Sequence, residues 1–396
     1  MEILDYSLPE NKIASKPHQD RSESKLLTYL NGSITDNVFS NLPNILDHSY
    51  NLILNETKVV NARLLFQKHT GGRIEVFCLE PYEGDITEKL TSKGSVEWNC
   101  LVGRAKKWKE EVISVKLKYL GNYLVLNAEK ISIDRGVFRL KFTWSNPELT
   151  FSEILEVFGK VPLPPYIKRN PEEADDLRYQ TVFAKNEGSV AAPTASLHFT
   201  KEILDNLKAS GVETAKVNLH VGAGTFKPIS DSIESHEMHK EMFLVPLDEL
   251  DKLRTLENII AVGTTSVRTL ESLYILAHDI QSGKQTNLST PLKVEQWSWK
   301  TQNSLFNSYE EAFDLLYKEC IRQGVNKIHG YTSLMIIPGF KFRVIKGLIT
   351  NFHMPKSTLL LLVAALIGDS WKTVYDFALN HDYRFLSYGD SSLLIP

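Results

Sequence analysis

Three cysteines in 396 residues, at 78, 100 and 320, are too few and too widely spaced for a disulfide framework or a zinc ribbon. A reducing compartment is therefore expected, and the cytoplasm is the natural one. No apolar run is longer than the nine residues from Leu359 to Ile367, against the roughly 20 that span a bilayer. The chain does not open on a basic stretch followed by an apolar one, so no signal peptide is expected. An excess of charge of one sign is missing too: 45 Lys and Arg against 48 Asp and Glu give −3. Nothing global points to nucleic acid, and an RNA partner would have to meet a local basic patch. Internal repeats and low-complexity segments are also lacking. What remains, 42% hydrophobic and 23% charged, is an ordinary globular composition, long enough for about two or three domains.

Periodicity divides the chain. Asn51 to Leu54 reads as a short apolar strand that leads into the polar run Asn55-Glu-Thr-Lys. From about 63 the pattern turns to period two. Val115, Leu117 and Tyr119 alternate with Lys116 and Lys118, and Phe138, Leu140 and Phe142 with Arg139 and Lys141. Turn signals at Gly71-Gly72, Gly121-Asn122 and Asp134-Arg-Gly136 separate the runs, which predicts a small barrel or sandwich. Thr150-Phe-Ser-Glu153 has capping-box spacing before an apolar stripe, and Gly159 is the stop. Val161-Pro-Leu-Pro-Pro-Tyr-Ile167 is a stiff extended connector where an insert rejoins its host. The expected fold is α+β (mixed α/β). Residues 1–62 and 153–396 make a larger two-segment α/β domain with a mixed sheet, and 63–152 an inserted small β-barrel domain.

The most distinctive stretch is 190–226. Thr200 caps a helix with Ile203, Leu204 and Leu207 on one face, and Gly211 ends it. The half-buried strand that follows, with Ala215, Val217 and Leu219 inward, leads through His220 into Gly222-Ala-Gly224-Thr225. Glycines there let backbone N–H groups approach a ligand, or simply make a tight turn. A second strand, Ile259-Ile-Ala-Val262, ends in Gly263-Thr-Thr-Ser266 and a helix with Arg268 just inside it. That arrangement suits a carboxylate, a phosphate or ribose hydroxyls, or is plain capping by Ser266. Residues 281–306 read as a polar surface insertion. Ser308-Tyr-Glu-Glu311 caps a helix to about Gly324, and Leu334–Ile337 with Arg343–Phe352 reads as a strand pair. Ser357 caps a buried apolar helix. The local basic candidate is Arg104, Lys106, Lys107 and Lys109 around Trp108, either solvated surface or a contact for phosphates and an unstacked base.

Ala191-Ala-Pro-Thr194-Ala-Ser-Leu-His198-Phe and Leu219-His-Val-Gly-Ala-Gly-Thr-Phe226 resemble blocks of the S-adenosylmethionine:tRNA ribosyltransferase-isomerase family of queuosine biosynthesis. The resemblance continues through Val161–Ile167, His236-Glu-Met-His-Lys-Glu241, Ala261–Arg268, Leu348-Ile-Thr-Asn-Phe-His-Met-Pro355 and Tyr383–Asp390, seven blocks in family order. Two departures stand out: Lys25 where arginine is common, and Ser196 where glycine is common, the latter tolerated if its φ is negative.

The resemblance implies an enzyme, a transferase that moves the ribosyl part of S-adenosylmethionine onto 7-aminomethyl-7-deazaguanine at the tRNA wobble position. Rearrangement to an epoxycyclopentane then gives epoxyqueuosine, with adenine and methionine released. S-adenosylmethionine would be co-substrate and tRNA the partner, with no metal and no membrane, and a monomer is expected. His198, His220 and His353 are the candidate catalytic residues, since histidine alone titrates near pH 7 unperturbed. His198 is the first choice for removing the C5′ proton, and His220 for orientation or adenine departure, with both on one pocket. Thr194, Gly222, Gly224, Thr225, Thr264, Thr265 and Ser266 are candidate substrate contacts, and Arg268 a partner for the methionine carboxylate. Asp390 reads the amine of the modified base or merely holds a turn; Tyr388 stacks on a base or packs in the core. His236, His239 and Glu241 have a spacing that metals use, but Lys240 disfavours a cation and the resemblance implies none. Rival classes are a non-catalytic RNA-binding adaptor and an S-adenosylmethionine-dependent methyltransferase. The latter lacks its glycine loop after the first strand.

Overall fold

Successive residues of the larger sheet face opposite cores. Leu26, Leu52, Leu54, Ile260, Val262 and Ile349 enter one, and their neighbours Leu27, Ile53, Ala261 and Leu348 the other. Strands apolar on both faces need cover on both faces, and that cover makes a three-layer arrangement. The structure, a computed structural model, describes residues 3–67, 71–109, 111–134, 136–222, 229, 232–301 and 305–396.

Ten strands make this sheet. They run in the order Leu292–Val294, Lys327–Thr332, Glu241–Pro246, Thr214–Leu219, Asn51–Asn55, Ile259–Val262, Ile345–Asn351, Ser391–Ile395, Lys25–Leu30 and Ser33–Val38. The four from Thr214–Leu219 to Ile345–Asn351 are parallel, so their carboxyl ends share one edge. One face is covered by the helix Lys201–Ala209, capped by Thr200, whose Oγ1 accepts from Ile203 N at 3.2 Å. Five helices, Leu247–Leu253, Thr264–Gln281, Tyr309–Gln323, Thr358–Ile367 and Ser370–Asn380, cover the other among the described residues. Ser308 and Ser357 cap as anticipated, and Gly324 ends its helix at φ 67°. Among the described residues no single helix is long and apolar enough to cross a membrane.

Seven antiparallel strands make the second sheet, ordered Gly159–Lys160, Arg63–Gln67, Arg73–Pro81, Ser95–Gly103, Val137–Trp144, Asn122–Asp134 and Val112–Tyr119. Its inner face packs Trp98, Leu126, Leu140 and Phe142 against Phe151, Ile154 and Leu155 of the helix Phe151–Phe158, where Thr150 and Glu153 form the capping box. Arg63–Gln67 and Val112–Tyr119 approach each other without a ladder among the described residues. Among the described residues the module is therefore a curled sheet, where a small barrel or sandwich was expected. The chain leaves it at Gly159, where a Cβ would lie 1.9 Å from the Asn61 carbonyl oxygen, so only glycine fits.

Two readings are corrected. Residues 281–306 are not merely a surface insertion: Leu292–Val294 forms the edge strand of the larger sheet. Leu334–Ile337 forms no ladder. Arg268 Nε donates to the Leu334 carbonyl at 3.1 Å and Trp299 Nε1 to that of Met335 at 3.0 Å, so this backbone is satisfied without a strand partner.

Thr264–Gln281 is buried almost throughout. Its Glu271 is 1% exposed and accepts the backbone N–H groups of Arg343 at 3.0 Å, Val344 at 3.1 Å and Ile345 at 3.3 Å. Burial pushes this carboxyl up to about 7, against the three donors and the Arg343 charge, which favour the anion. Glu271→Gln turns an NH₂ group toward one of those donors. It should lose about 1–3 kcal/mol of unfolding free energy with an unchanged denaturant slope; an unmoved midpoint would refute the role.

Candidate active site

Open α/β sheets hold ligands outside the carboxyl ends of their strands. Here the parallel strands end in His220–Gly222, Gly263–Thr265 and Phe352–Met354, and a cleft with about 860 Å³ of empty space, partly open to solvent, lies against them. Its walls are the small-residue run Ala191–Ala195, the turn Gly263–Thr265 and the strand end Thr350–Met354, with Tyr166 and Ser387 beside them. No Asp or Glu is among the described residues that line it.

Of the three histidines, His353 lines the cleft; His198 and His220 stand behind its wall. His198 is 4% exposed and packs on Phe39. Its Nε2 accepts from Asn351 Nδ2 at 3.2 Å, so Nδ1 carries the proton and donates to Ser24 Oγ at 2.9 Å. Burial pushes this ring down to about 3, and the Arg384 charge adds to the shift. His220 bonds Thr57 Oγ1 through Nδ1 at 3.0 Å, and burial pushes it down to about 4. Its ring lies on Gly188, where a Cβ would be 2.7 Å from the imidazole, so glycine is needed for the ring to sit there. His353 bonds Thr350 Oγ1 through Nε2 at 3.0 Å, and its backbone N–H donates to the Tyr375 hydroxyl at 3.1 Å. Burial takes it, too, down to about 3. The first two rings thus do not share one pocket: each is held by neighbours from other strands.

Thr194, Thr264 and Thr265 line the cleft, and the Thr265 hydroxyl has no partner. The N–H groups of Thr264 and Thr265 open the helix with no acceptor among the described residues. Ser266 neither lines the cleft nor caps the helix; its hydroxyl donates to the Val262 carbonyl at 2.8 Å. Arg268 does pair with a carboxylate, but with that of Glu241, and it also bonds the Leu334 and Thr332 carbonyls. Glu241 is thereby committed as well. Gly222 follows the cleft residue Val221. Gly224 and Thr225 lie outside the described residues.

Asp390 is 1% exposed and holds a turn: its oxygens accept from Lys25 N at 3.0 Å and Arg384 N at 2.7 Å. Tyr388 is core, with its hydroxyl on Asp175 at 2.7 Å. Ser196 is not among the residues with positive φ, so the glycine departure brings no strain, though its buried hydroxyl gains no partner. Lys25 Nζ donates to the His381 carbonyl at 2.7 Å. Arg104, Lys106, Lys107 and Lys109 are exposed around the turn Ala105–Lys107, whereas Trp108 is buried in the second core. The patch is therefore a group of exposed cations without an exposed aromatic face. Sequence reasoning missed Asn351, 3% exposed and lining the cleft. The one available signal was its place at a strand end beside His353.

A family model described as queuosine biosynthesis protein matches residues 1–394. A protein of Chlorobaculum parvum named S-adenosylmethionine:tRNA ribosyltransferase-isomerase is 36% identical over 406 residues, covering 100% of this chain and 99% of its own. One of the same name from Natranaerobius thermophilus is 36% identical over 404 residues with the same coverage. A crystal structure of S-adenosylmethionine tRNA ribosyltransferase from Thermotoga maritima aligns over 99% of both chains at 26% identity, with a TM-score of 0.47.

The three buried rings link stability to pH. Their folded values, about 3 to 4, lie below the ordinary 6.5, so unfolding in mild acid takes up protons. Their contribution is present above 6.5 and lost as pH falls toward 4 and 3. Glu271, raised from 4.5 to about 7, works the other way: its contribution is present below 4.5 and lost as pH rises through 7. His220→Asn removes one histidine from this balance. Between pH 6 and 5 its unfolding free energy should depend on pH less steeply than that of the parent, by about 1.4 kcal/mol per unit. Equal slopes in denaturant titrations would mean that the ring is already charged in the fold.

Proposed function

The chain belongs to the queuosine biosynthesis protein family, and from that premise we propose that it is an S-adenosylmethionine:tRNA ribosyltransferase-isomerase. It transfers and isomerises the ribosyl moiety of S-adenosylmethionine onto 7-aminomethyl-7-deazaguanine at the wobble position of tRNA. Epoxyqueuosine-tRNA, adenine and methionine are the products. The observation that carries this reading is the cleft at the carboxyl edge of the parallel strands. It combines small and apolar walls, a helix N-terminus with free N–H groups and one histidine.

The reaction makes four physical demands. The sulfonium acidifies the C5′ protons, so an unprotonated base must reach one. The methionine carboxylate needs donors, adenine needs hydrogen bonds as it leaves, and the wobble base must be splayed from its loop. His353 suits the first demand. It is on the cleft wall, and burial keeps its ring unprotonated at ordinary pH while making it a weak base, so the acidity conferred by the sulfonium has to carry the transfer. In the tautomer whose Nε2–H donates to Thr350 Oγ1, Nδ1 is left to accept the proton. The free N–H groups of Thr264 and Thr265 suit the carboxylate, at the positive end of an 18-residue helix. Thr194 and the hydroxyl of Thr265 suit ribose. His198 and His220 hold the wall in place, and the 63–152 module carries the basic turn toward RNA.

The defining test is mass spectrometry for epoxyqueuosine after the protein is mixed with S-adenosylmethionine and precursor tRNA; no product would remove the reading. Within it, His353→Ala should abolish turnover and exchange of the C5′ protons with deuterated solvent. Binding of S-adenosylmethionine should stay within about tenfold. Retained exchange would move the base elsewhere. Changing Arg104, Lys106, Lys107 and Lys109 together to Ala should weaken tRNA binding and flatten its salt dependence. An unaltered salt slope would place the docking surface on another face.

A further inference from the structure

The Asn351 amide is held in one orientation. Its Nδ2 donates to His198 Nε2 at 3.2 Å and to the Asp390 backbone carbonyl at 3.4 Å. A carbonyl oxygen only accepts, so the NH₂ half must lie on that side. Neither His198 nor Asp390 lines the cleft, whereas Asn351 does. The Oδ1 half is therefore left on the opposite side of the amide, buried and with no donor among the described residues, in a residue that lines the cleft. Folded proteins seldom leave a buried acceptor unpaired, because its desolvation is then uncompensated. The site is completed by a ligand that brings an N–H group.

We propose that Asn351 Oδ1 accepts the exocyclic amino group of the adenine of the ribosyl donor, and that His198 is the positioning residue that holds the amide for it. This rests on S-adenosylmethionine as the ligand of the cleft. The choice of a neutral amino group follows from the walls. Among the described lining residues no carboxylate is present to balance an ammonium, while Ala191, Ala192, Pro193, Val221 and Leu386 suit the faces of a flat ring. His198 serves because its Nε2 keeps its lone pair: Ser24 takes the Nδ1 proton, and burial keeps the ring neutral. An imidazolium would present N–H to the Asn351 NH₂ and drive the amide over.

Calorimetry on the full-length protein with three ligands tests this: S-adenosylmethionine, its analogue with hydrogen in place of the 6-amino group, and its 6-oxo analogue. In the wild type, loss of the amino group should weaken binding about tenfold to a hundredfold, and the 6-oxo group at least as much, since two acceptors then face each other. In Asn351→Leu the first two ligands should bind within about threefold of each other. In His198→Ala the amide is free to turn over, so the preference for amino over oxo should fall at least about tenfold while the 6-hydrogen analogue binds as before. That readout separates positioning from a general structural role. Equal affinity of the wild type for all three ligands would overturn the inference even if neither variant folds, and so would a preference unchanged in both variants. A wild type that binds no S-adenosylmethionine would instead remove the reading beneath it, and this inference with it.

Discussion

A helix buried on every side must satisfy its polar side chains inside the protein, and the organisation of the cleft depends on how Thr264–Gln281 does so. Arg268 reaches Glu241 and two carbonyls, Ser272 bonds Thr332 Oγ1 at 2.8 Å, and Glu271 gathers three N–H groups ahead of the strand Ile345–Asn351. These bonds run to strands on either side of the helix, so they fix both its rotation and its position along its axis. Its first turn is then delivered, through Gly263 at φ 87°, to the cleft edge. A buried ion pair such as Arg268–Glu241 adds little net stability against an apolar pair, yet removing one partner strands the other charge at a cost of about 3–5 kcal/mol. Its consequence here is geometric: Arg268 is spent on the fold and is not left for a ligand's carboxylate.

Burial also decides what the histidines do. An exposed imidazole changes charge near neutrality, which is why the sequence offers histidine as an acid–base group. Inside this fold the rings are pushed down to about 3 or 4, and each becomes a fixed, neutral hydrogen-bonding unit with one donor and one acceptor. For His198, between Ser24 and Asn351, that turns a titrating group into an orienting one. His353 alone of the three keeps a place on the cleft wall.

Local chemistry was legible and long-range closure was not. Thr150, Thr200, Ser308 and Ser357 cap as their spacing predicts, because a cap is decided within four residues. The period-two run after residue 63 became strands for the same reason: alternation is a property of the chain itself. Whether a curled sheet closes depends on two strands about 50 residues apart, and no local pattern records that. Trp108 looked like a stacking platform among cations, but its own face belongs to a core built by strands elsewhere. Leu334–Ile337 reads as a strand because it is apolar; its Leu334 and Met335 carbonyls go to distant side chains and its Met335 N–H to the Gln296 carbonyl, with no ladder.

The same reason explains why Asn351 escaped notice. Its neighbours come from residues 24, 198 and 390, which converge only because the strands Lys25–Leu30, Ser391–Ile395 and Ile345–Asn351 lie side by side. Asp390 does two jobs at this junction. Its carboxylate holds the N–H groups of Lys25 and Arg384, and its carbonyl takes one half of the Asn351 amide. The acidic residue that the sequence offered as a ligand contact thus acts one step further back. With its carboxylate engaged by backbone, it fixes the orientation of a neutral amide, and that amide, not the acid, meets the cleft. Among the described residues the cleft wall thus carries a neutral amide where the sequence had offered a carboxylate.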